Sequence, residues 1–265
     1  AAATGRPPPV ALLGFDDQKD MIVPWSDALL SPHSLAAEYT AGIAYHWYAG
    51  DHFDNLAKAV QAHRDKVFLG TEATYELMRL RDPTASHREW VHHGVWARGE
   101  GYAHAIIGDL LAGSSGWIDW NILLNDKGGP NHLNNNCDAP MIADVSFKEV
   151  HLHPQFYYLG HFSKFIPRGS TRVRLDRVDV DDSPSLPPPT NAGGIYNLSG
   201  SVAYGACPTG PVHAVALKRP DGRIILVALN CDDTARLIRI ELGSSGRALQ
   251  STIPPRAIHT YIFAE

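Results

Sequence analysis

Residues 67–72 read Val-Phe-Leu-Gly-Thr-Glu, an apolar run that stops on the carboxylate of Glu72. A glutamate at the C-terminal end of a buried strand can act as the nucleophile of a retaining glycosidase, with a second carboxyl group about 5–5.5 Å away. It can equally be a helix-start or surface charge, and the run alone does not separate the two. His46, Trp47 and Tyr48 close another apolar run, and strand alternation puts His46 and Tyr48 on one face. That pair can hydrogen-bond a nucleophile or a sugar hydroxyl, or simply form a hydrogen-bonded rim. Trp117, Trp120 and Tyr75 offer faces for stacking on a sugar ring; packing in the core is the other use of such side chains.

Other polar clusters carry less chemistry. His92-His93 and His151-x-His153 have neither the HExxH pattern nor another ligand spacing, so they read as solvated or structural and no metal is expected. Asp181-Asp182 and Asp232-Asp233 read as turn acids, and Gly-Gly-Pro-Asn at 128–131 as a turn rather than a phosphate loop. No GxSxG elbow for a nucleophilic serine occurs.

The elements that must hold these residues alternate. Apolar runs at 10–15, 42–48, 67–72 and 114–120 read as strands covered on both faces. Helical patterns at 26–39, 53–64 and 86–113 separate them, the first interrupted at Pro32 and the last closing at Gly113. Each run ends in polar or aromatic residues: Asp16-Asp17-Gln18, His46-Trp47-Tyr48, Thr71-Glu72 and Asp119-Trp120-Asn121. Such residues gathered at the C-terminal ends of parallel strands are how a (β/α)8 TIM barrel builds its site. Four βα units make only the C-terminal half of a barrel, assigned to residues 1–167. From 168 to 265 the pattern becomes antiparallel, a small β-sandwich with a hairpin turn at Arg219-Pro220-Asp221-Gly222 and a Pro/Gly/Ser-rich loop insertion at 181–210.

Composition excludes some functions. The chain has 265 residues, 19% charged, with a net charge of −5 and no block of lysine and arginine, which disfavours nucleic acid and anionic membrane surfaces. No apolar stretch reaches the roughly 18–20 residues of a transmembrane helix. The first ten residues lack the apolar core of a signal peptide and read as a flexible lead-in left by a cut. Of three cysteines, Cys207 and Cys231 flank the predicted hairpin and can form a disulfide or remain free thiols. Asn197-Leu198-Ser199 is an N-glycosylation acceptor pattern.

Several long segments, in order, resemble one family: Gly-Ile-Ala-Tyr-His-Trp-Tyr (42–48), Leu-Gly-Thr-Glu-Ala (69–73), the 116–131 segment beginning Gly-Trp-Ile-Asp-Trp-Asn, Asp-Ala-Pro-Met-Ile-Ala-Asp (138–144) and the 156–173 segment beginning Phe-Tyr-Tyr-Leu-Gly-His. They are similar to the glucosylceramidase (acid β-glucosidase) members of glycoside hydrolase family 30, and the resemblance spans nearly the whole chain. It implies a retaining β-glucosidase with no metal or organic cofactor, acting on a β-glucoside or glucosylceramide. Glu72 matches the nucleophile, and His46, Tyr48, Trp120 and Asn135 match the residues that line the glucose pocket. It also implies a lysosomal or secreted, extracellular setting.

The resemblance leaves the second carboxyl group unassigned. The family carries its general acid/base in an Asn-Glu-Pro motif at barrel strand four, and this sequence has no Asn-Glu pair; its first strand resembles barrel strand five. Half a parallel barrel leaves sheet edges and an apolar face open. A companion polypeptide carrying the N-terminal half-barrel is therefore expected, the chain alone being inactive. The alternative is another protein covering the open barrel, with this chain a non-catalytic structural or interaction subunit. His132 stands where the family usually has tryptophan, and Thr74 where animal enzymes carry cysteine.

Overall fold

In the computed structural model, which describes residues 10–77, 87–176, 205–243 and 247–264, the apolar runs of the first half become parallel strands. β1 (Leu12–Gln18), β2 (Thr40–His46) and β3 (Val67–Glu72) pair side by side in that order, both pairs parallel. α1 (Ile22–Leu30) stops one residue before Ser31-Pro32, and a short 3-10 turn, Leu35–Glu38, leads into β2. Proline has no amide hydrogen with which to extend the helix. α2 (Phe53–Ala62) buries Phe53, Leu56 and Ala59. Ile22, Ile43, Tyr45, Leu56 and Phe68 form a core where α1 and α2 cover the sheet.

The third helical stretch divides into α3 (His87–His93) and α4 (Trp96–Ala112) at Gly94, whose φ of 64° suits glycine. α4 closes at Gly113, φ 106°, whose amide caps the last turn. The fourth apolar run does not form the regular strand expected at 114–120. It lies along β3 through one parallel bridge, Gly70 to Trp117, and the amides of Ser115, Ile118 and Trp120 donate to the carbonyls of Phe68, Gly70 and Ala73. The Ser114 hydroxyl bonds the Phe68 and Gly116 carbonyls, so a side chain takes acceptors that a ladder would use. Among the described residues the sheet does not close, and β1 has a neighbour on one side only. This is a partial TIM barrel. No described helix is long and apolar enough to cross a membrane.

A second small sheet, which periodicity does not reveal, follows: β4 (Leu123–Asn125) pairs parallel with β5 (Met141–Asp144), and β5 antiparallel with β6 (Glu149–Leu152). These strands are three or four residues long, too short for alternation to register. α5 (Pro154–Ser163) then begins with proline at its first position, where no amide hydrogen is required.

The remainder is antiparallel. β7 (Thr171–Arg172), β8 (His213–Lys218) and β9 (Ile224–Asn230) form one sheet with the last strand, β12 (Ala257–Phe263). β10 (Arg236–Glu241) pairs with β11 (Ala248–Ile253). The expected hairpin is β8–β9, and Cys207 is disulfide-bonded to Cys231, their Cα atoms 5.8 Å apart. β11 escapes a sequence reading because its Ala-Leu-Gln-Ser-Thr-Ile has no clean alternation and only Ile253 is buried. Asn197 and residues 181–204 of the insertion lie outside the described residues. The sandwich packs on α4 and α5 through Ile107, Tyr158, Val215, Val227 and Leu229, and the Arg256 guanidinium reaches Glu100 of α4 at 2.6 Å.

Sheet spacing leaves no room at Gly42. A Cβ there would lie 1.9 Å from the Val67 carbonyl oxygen of β3, and backbone cannot rotate away as a side chain can. Gly42→Ala is expected to destabilise the protein by at least the ~1–3 kcal/mol of an overpacked core, read as a fall in the urea midpoint.

Candidate active site

Two irregularities at strand ends build the site. β1 and β2 pair Phe15 with Ala44 and then Asp17 with Tyr45, so Asp16 is an extra residue. β2 and β3 pair Tyr45 with Gly70 and then His46 with Glu72, so Thr71 is extra. Such bulges re-aim side chains, and Phe15 and Asp16 both sit at positive φ, 78° and 55°, strained for residues with a Cβ. The two extra residues meet: the Thr71 hydroxyl donates to Asp16 Oδ1 at 2.7 Å. His46 Nε2 lies 3.1 Å from the same oxygen and 3.7 Å from Glu72 Oε2.

The Tyr48 hydroxyl donates to the Glu72 carboxylate, and its ring stands edge-on to the His46 ring, 6.2 Å between centroids. Burial first, and then the Glu72 charge, push the Tyr48 phenol far above its ordinary value, so it stays protonated and serves as a donor. Asp16 differs: the Thr71 hydroxyl, with His46, holds its carboxyl below the usual range although burial opposes them. His46, Tyr48 and Glu72 are therefore brought together, as their strand positions suggest. Asp16 and Thr71 join them by a cross-strand route that no local pattern discloses.

Asn135 arrives through a second pairing. The amide of Leu77 donates to Asn136 and that of Asp138 to Tyr75, with an antiparallel bridge from Glu76 to Cys137. This sets the Asn135 amide 2.9 Å from Glu76 Oε1, and Glu76 shares the surroundings of Tyr48 with Glu72. The aromatic candidates part ways. Tyr75 is 3% exposed, stacked on Tyr102 at 5.5 Å with Trp47 edge-on, and is core. Trp117 is partly buried against the same cluster. Trp120 is 58% exposed, anchored by its amide to the Ala73 carbonyl one residue beyond Glu72.

Behind these residues lies a buried polar network that sequence reasoning missed. Fully buried Asp138 accepts from Arg98 Nη1 at 2.6 Å, Gln155 Nε2 at 2.8 Å, His153 Nδ1 at 2.7 Å and the Ala139 amide at 2.9 Å. Its own carbonyl accepts from the Thr74 hydroxyl at 3.0 Å, which ties the network to the chain just past Glu72. The four side chains come from α4, α5 and two loops; no local motif joins them.

Asp119, beside Trp120, is pushed up to about 7 by burial, against hydrogen bonds from Tyr102 and the Asn121 amide that favour its charged form. Its folded value lies above the unfolded value of roughly 3.9, so the neutral form is favoured by folding. The associated stability is present below about pH 4 and is lost as pH rises through 7. Asp119→Asn is expected to lose less stability between pH 5 and 8 than the parent protein, measured as melting temperature against pH.

Comparison with known proteins bears on the family and the fold. Residues 2–166 match the Glycosyl hydrolase family 30 TIM-barrel domain and residues 200–261 the Glycosyl hydrolase family 30 beta sandwich domain. The mouse protein "Lysosomal acid glucosylceramidase" is 34% identical over 257 residues, 96% of this chain and 42% of that protein. "Putative glucosylceramidase 3" of Caenorhabditis elegans is 32% identical over 251 residues, 94% of this chain and 41% of that protein. Among solved structures, SrfJ from Salmonella typhimurium superposes with a TM-score of 0.73 at 25% identity, covering 96% of this chain and 47% of SrfJ. The endo-beta1,6-glucanase BT3312 shares the fold at a TM-score of 0.70 and 18% identity, covering 96% of this chain and 49% of that one. The chain thus spans less than half the length of these relatives. With a barrel match over 165 residues and a sandwich match behind it, this chain belongs to glycosyl hydrolase family 30.

Proposed function

We propose that this chain is the nucleophile-bearing portion of a retaining β-glucosidase, acting on a β-glucoside such as glucosylceramide in a lysosomal or extracellular setting. The observation that carries the reading is Glu72 at the C-terminal end of β3, with His46 3.7 Å from its carboxylate and the Tyr48 hydroxyl donating to it. A Glu72 carboxylate oxygen attacks the anomeric carbon as the bond to the leaving oxygen breaks, and a carboxylic acid protonates that oxygen. The same group, now a carboxylate, takes a proton from water, which displaces Glu72 and frees the sugar. His46 and Tyr48 orient the carboxylate, Asn135, bonded to Glu76, is assigned to bind the sugar, and Trp120 offers its exposed face to the sugar or aglycone.

The proton donor is assigned outside this sequence because it holds no Asn-Glu pair to match the family's acid/base motif. Asp16, the other carboxyl group in contact with His46, is held below the ordinary carboxylate range, which suits it poorly to donate a proton. The reading therefore places the acid/base on the remaining barrel strands, in the same polypeptide or in a companion. The test is denaturing mass spectrometry of the native protein after treatment with a mechanism-based β-glucoside inactivator. One glucosyl adduct on the peptide containing Glu72, together with an Asn-Glu-Pro segment at equal stoichiometry, supports the reading. No adduct, with the open barrel covered by an unrelated protein, makes the chain a non-catalytic interaction module.

A further inference from the structure

Away from the ends of β1–β3, the C-terminal end of α3 meets the β5–β6 hairpin in an arrangement that the glycosidase reading does not use. His92 of α3 and His151 of β6 are 59 residues apart in sequence, yet their rings lie 4.3 Å centroid to centroid. The Nε2 atoms of both are buried and make no hydrogen bond. Asp144, at the end of β5 and 6% exposed, completes the group: one ligand atom from each of the three residues lies within 4.8 Å of the others. Asp144 Oδ1 accepts the amides of Ser146 and Phe147 at 3.0 and 3.1 Å, which fixes the carboxylate at the hairpin turn. Glu149 Oε2 stands 3.6 Å from His151 Nε2. A cavity of about 240 Å³ opens at His92 and Asp144, bordered also by Asp126, Ser146 and Phe147.

We infer that His92, His151 and Asp144 form a binding site for a divalent transition metal of the zinc type, clamping α3 to the β5–β6 hairpin. Two neutral imidazoles and a carboxylate are a nitrogen–oxygen donor set suited to Zn²⁺, which is bound at about 2.0–2.2 Å from such atoms and accepts a fourth ligand. Glu149 or a water in the adjoining cavity can provide it. Two buried imidazole nitrogens without hydrogen-bond partners are costly in the absence of a cation, and a metal satisfies both at once. Arg88, which also borders the cavity, has its guanidinium over the Phe147 ring at 5.9 Å, and the carboxylates of Asp144 and Asp126 line the same cavity. The His104 and His213 pair is the other candidate group, but its third member, Cys207, is tied up in the disulfide.

The inference is independent of hydrolysis and is tested by metal binding. The full untagged protein is stripped with chelator, then titrated with Zn²⁺ against a chromophoric competitor and separately with Co²⁺ while visible absorption is followed. The expected result is one tight site per chain, ligand-field bands with Co²⁺, and a rise in melting temperature on adding Zn²⁺. His92→Ala/His151→Ala abolishes all three and leaves the stripped protein's melting temperature unchanged. Asp144→Asn, which keeps the Oδ1 bonds, weakens binding by roughly tenfold or more, and His104→Ala/His213→Ala leaves it intact. Absence of stoichiometric binding, or undiminished binding in His92→Ala/His151→Ala, overturns the assignment.

Discussion

If Glu72 is the nucleophile as proposed, Glu72→Gln is expected to lower kcat for β-glucoside hydrolysis by the assembled protein by at least about 10⁴-fold, the scale of removing a catalytic nucleophile. The amide is nearly isosteric and can still accept from Tyr48, so folding and substrate affinity should change little while the covalent step disappears. Glu72→Ala goes further, because it opens a space beside His46 and Tyr48 where a small external anion can attack the anomeric carbon. Added azide is then expected to restore glucoside cleavage and to give an α-glucosyl azide, since one displacement inverts what two would retain. A Glu72→Gln protein with parental kcat would mean that Glu72 is a rim charge and that the nucleophile lies elsewhere.

The second large effect concerns stability. Asp138→Asn leaves Arg98 and His153 without the buried carboxylate they contact at 2.6 and 2.7 Å. Removing one member of a buried ionic group costs roughly 3–5 kcal/mol. At about 2–4 °C per kcal/mol for a chain of this size, the melting temperature should fall by roughly 10 °C. Acid sensitivity supplies a separate check. Burial raises the Asp138 value, but the His153 hydrogen bond and the Arg98 charge outweigh it and hold the carboxyl at about 2. The folded value is below the unfolded one, so this stability is present above about pH 4 and is lost as pH falls toward 2. The parent protein should lose stability over that window more steeply than Asp138→Asn. Because Asp138 also anchors Thr74 and, through its amide, Tyr75, the variant is further expected to loosen the segment that carries Glu72.

What sequence alone determined was local. Continuous apolar runs of six or seven residues ending in polar groups announce buried strands by composition, so β1, β2 and β3 and the positions of His46, Tyr48 and Glu72 at or just past their ends were legible, while the run at 114–120 gave only one bridge. Helix boundaries marked by Pro32 and Gly113 were legible for the same reason, since each acts on its own backbone. The long ordered segments carried the family. Only the tertiary structure decided which residues meet. The bulges that bring Asp16 to Thr71 depend on the register between strands, which is set by packing across the sheet rather than along it. Tyr75 and Trp120 offer the same chemistry in sequence, but one packs in the core and the other stands in solvent, because burial depends on what α4 brings alongside. The Asp138 network and the His92–His151 pair draw on elements tens of residues apart, and spacing along a chain holds no record of contacts made by folding back on itself.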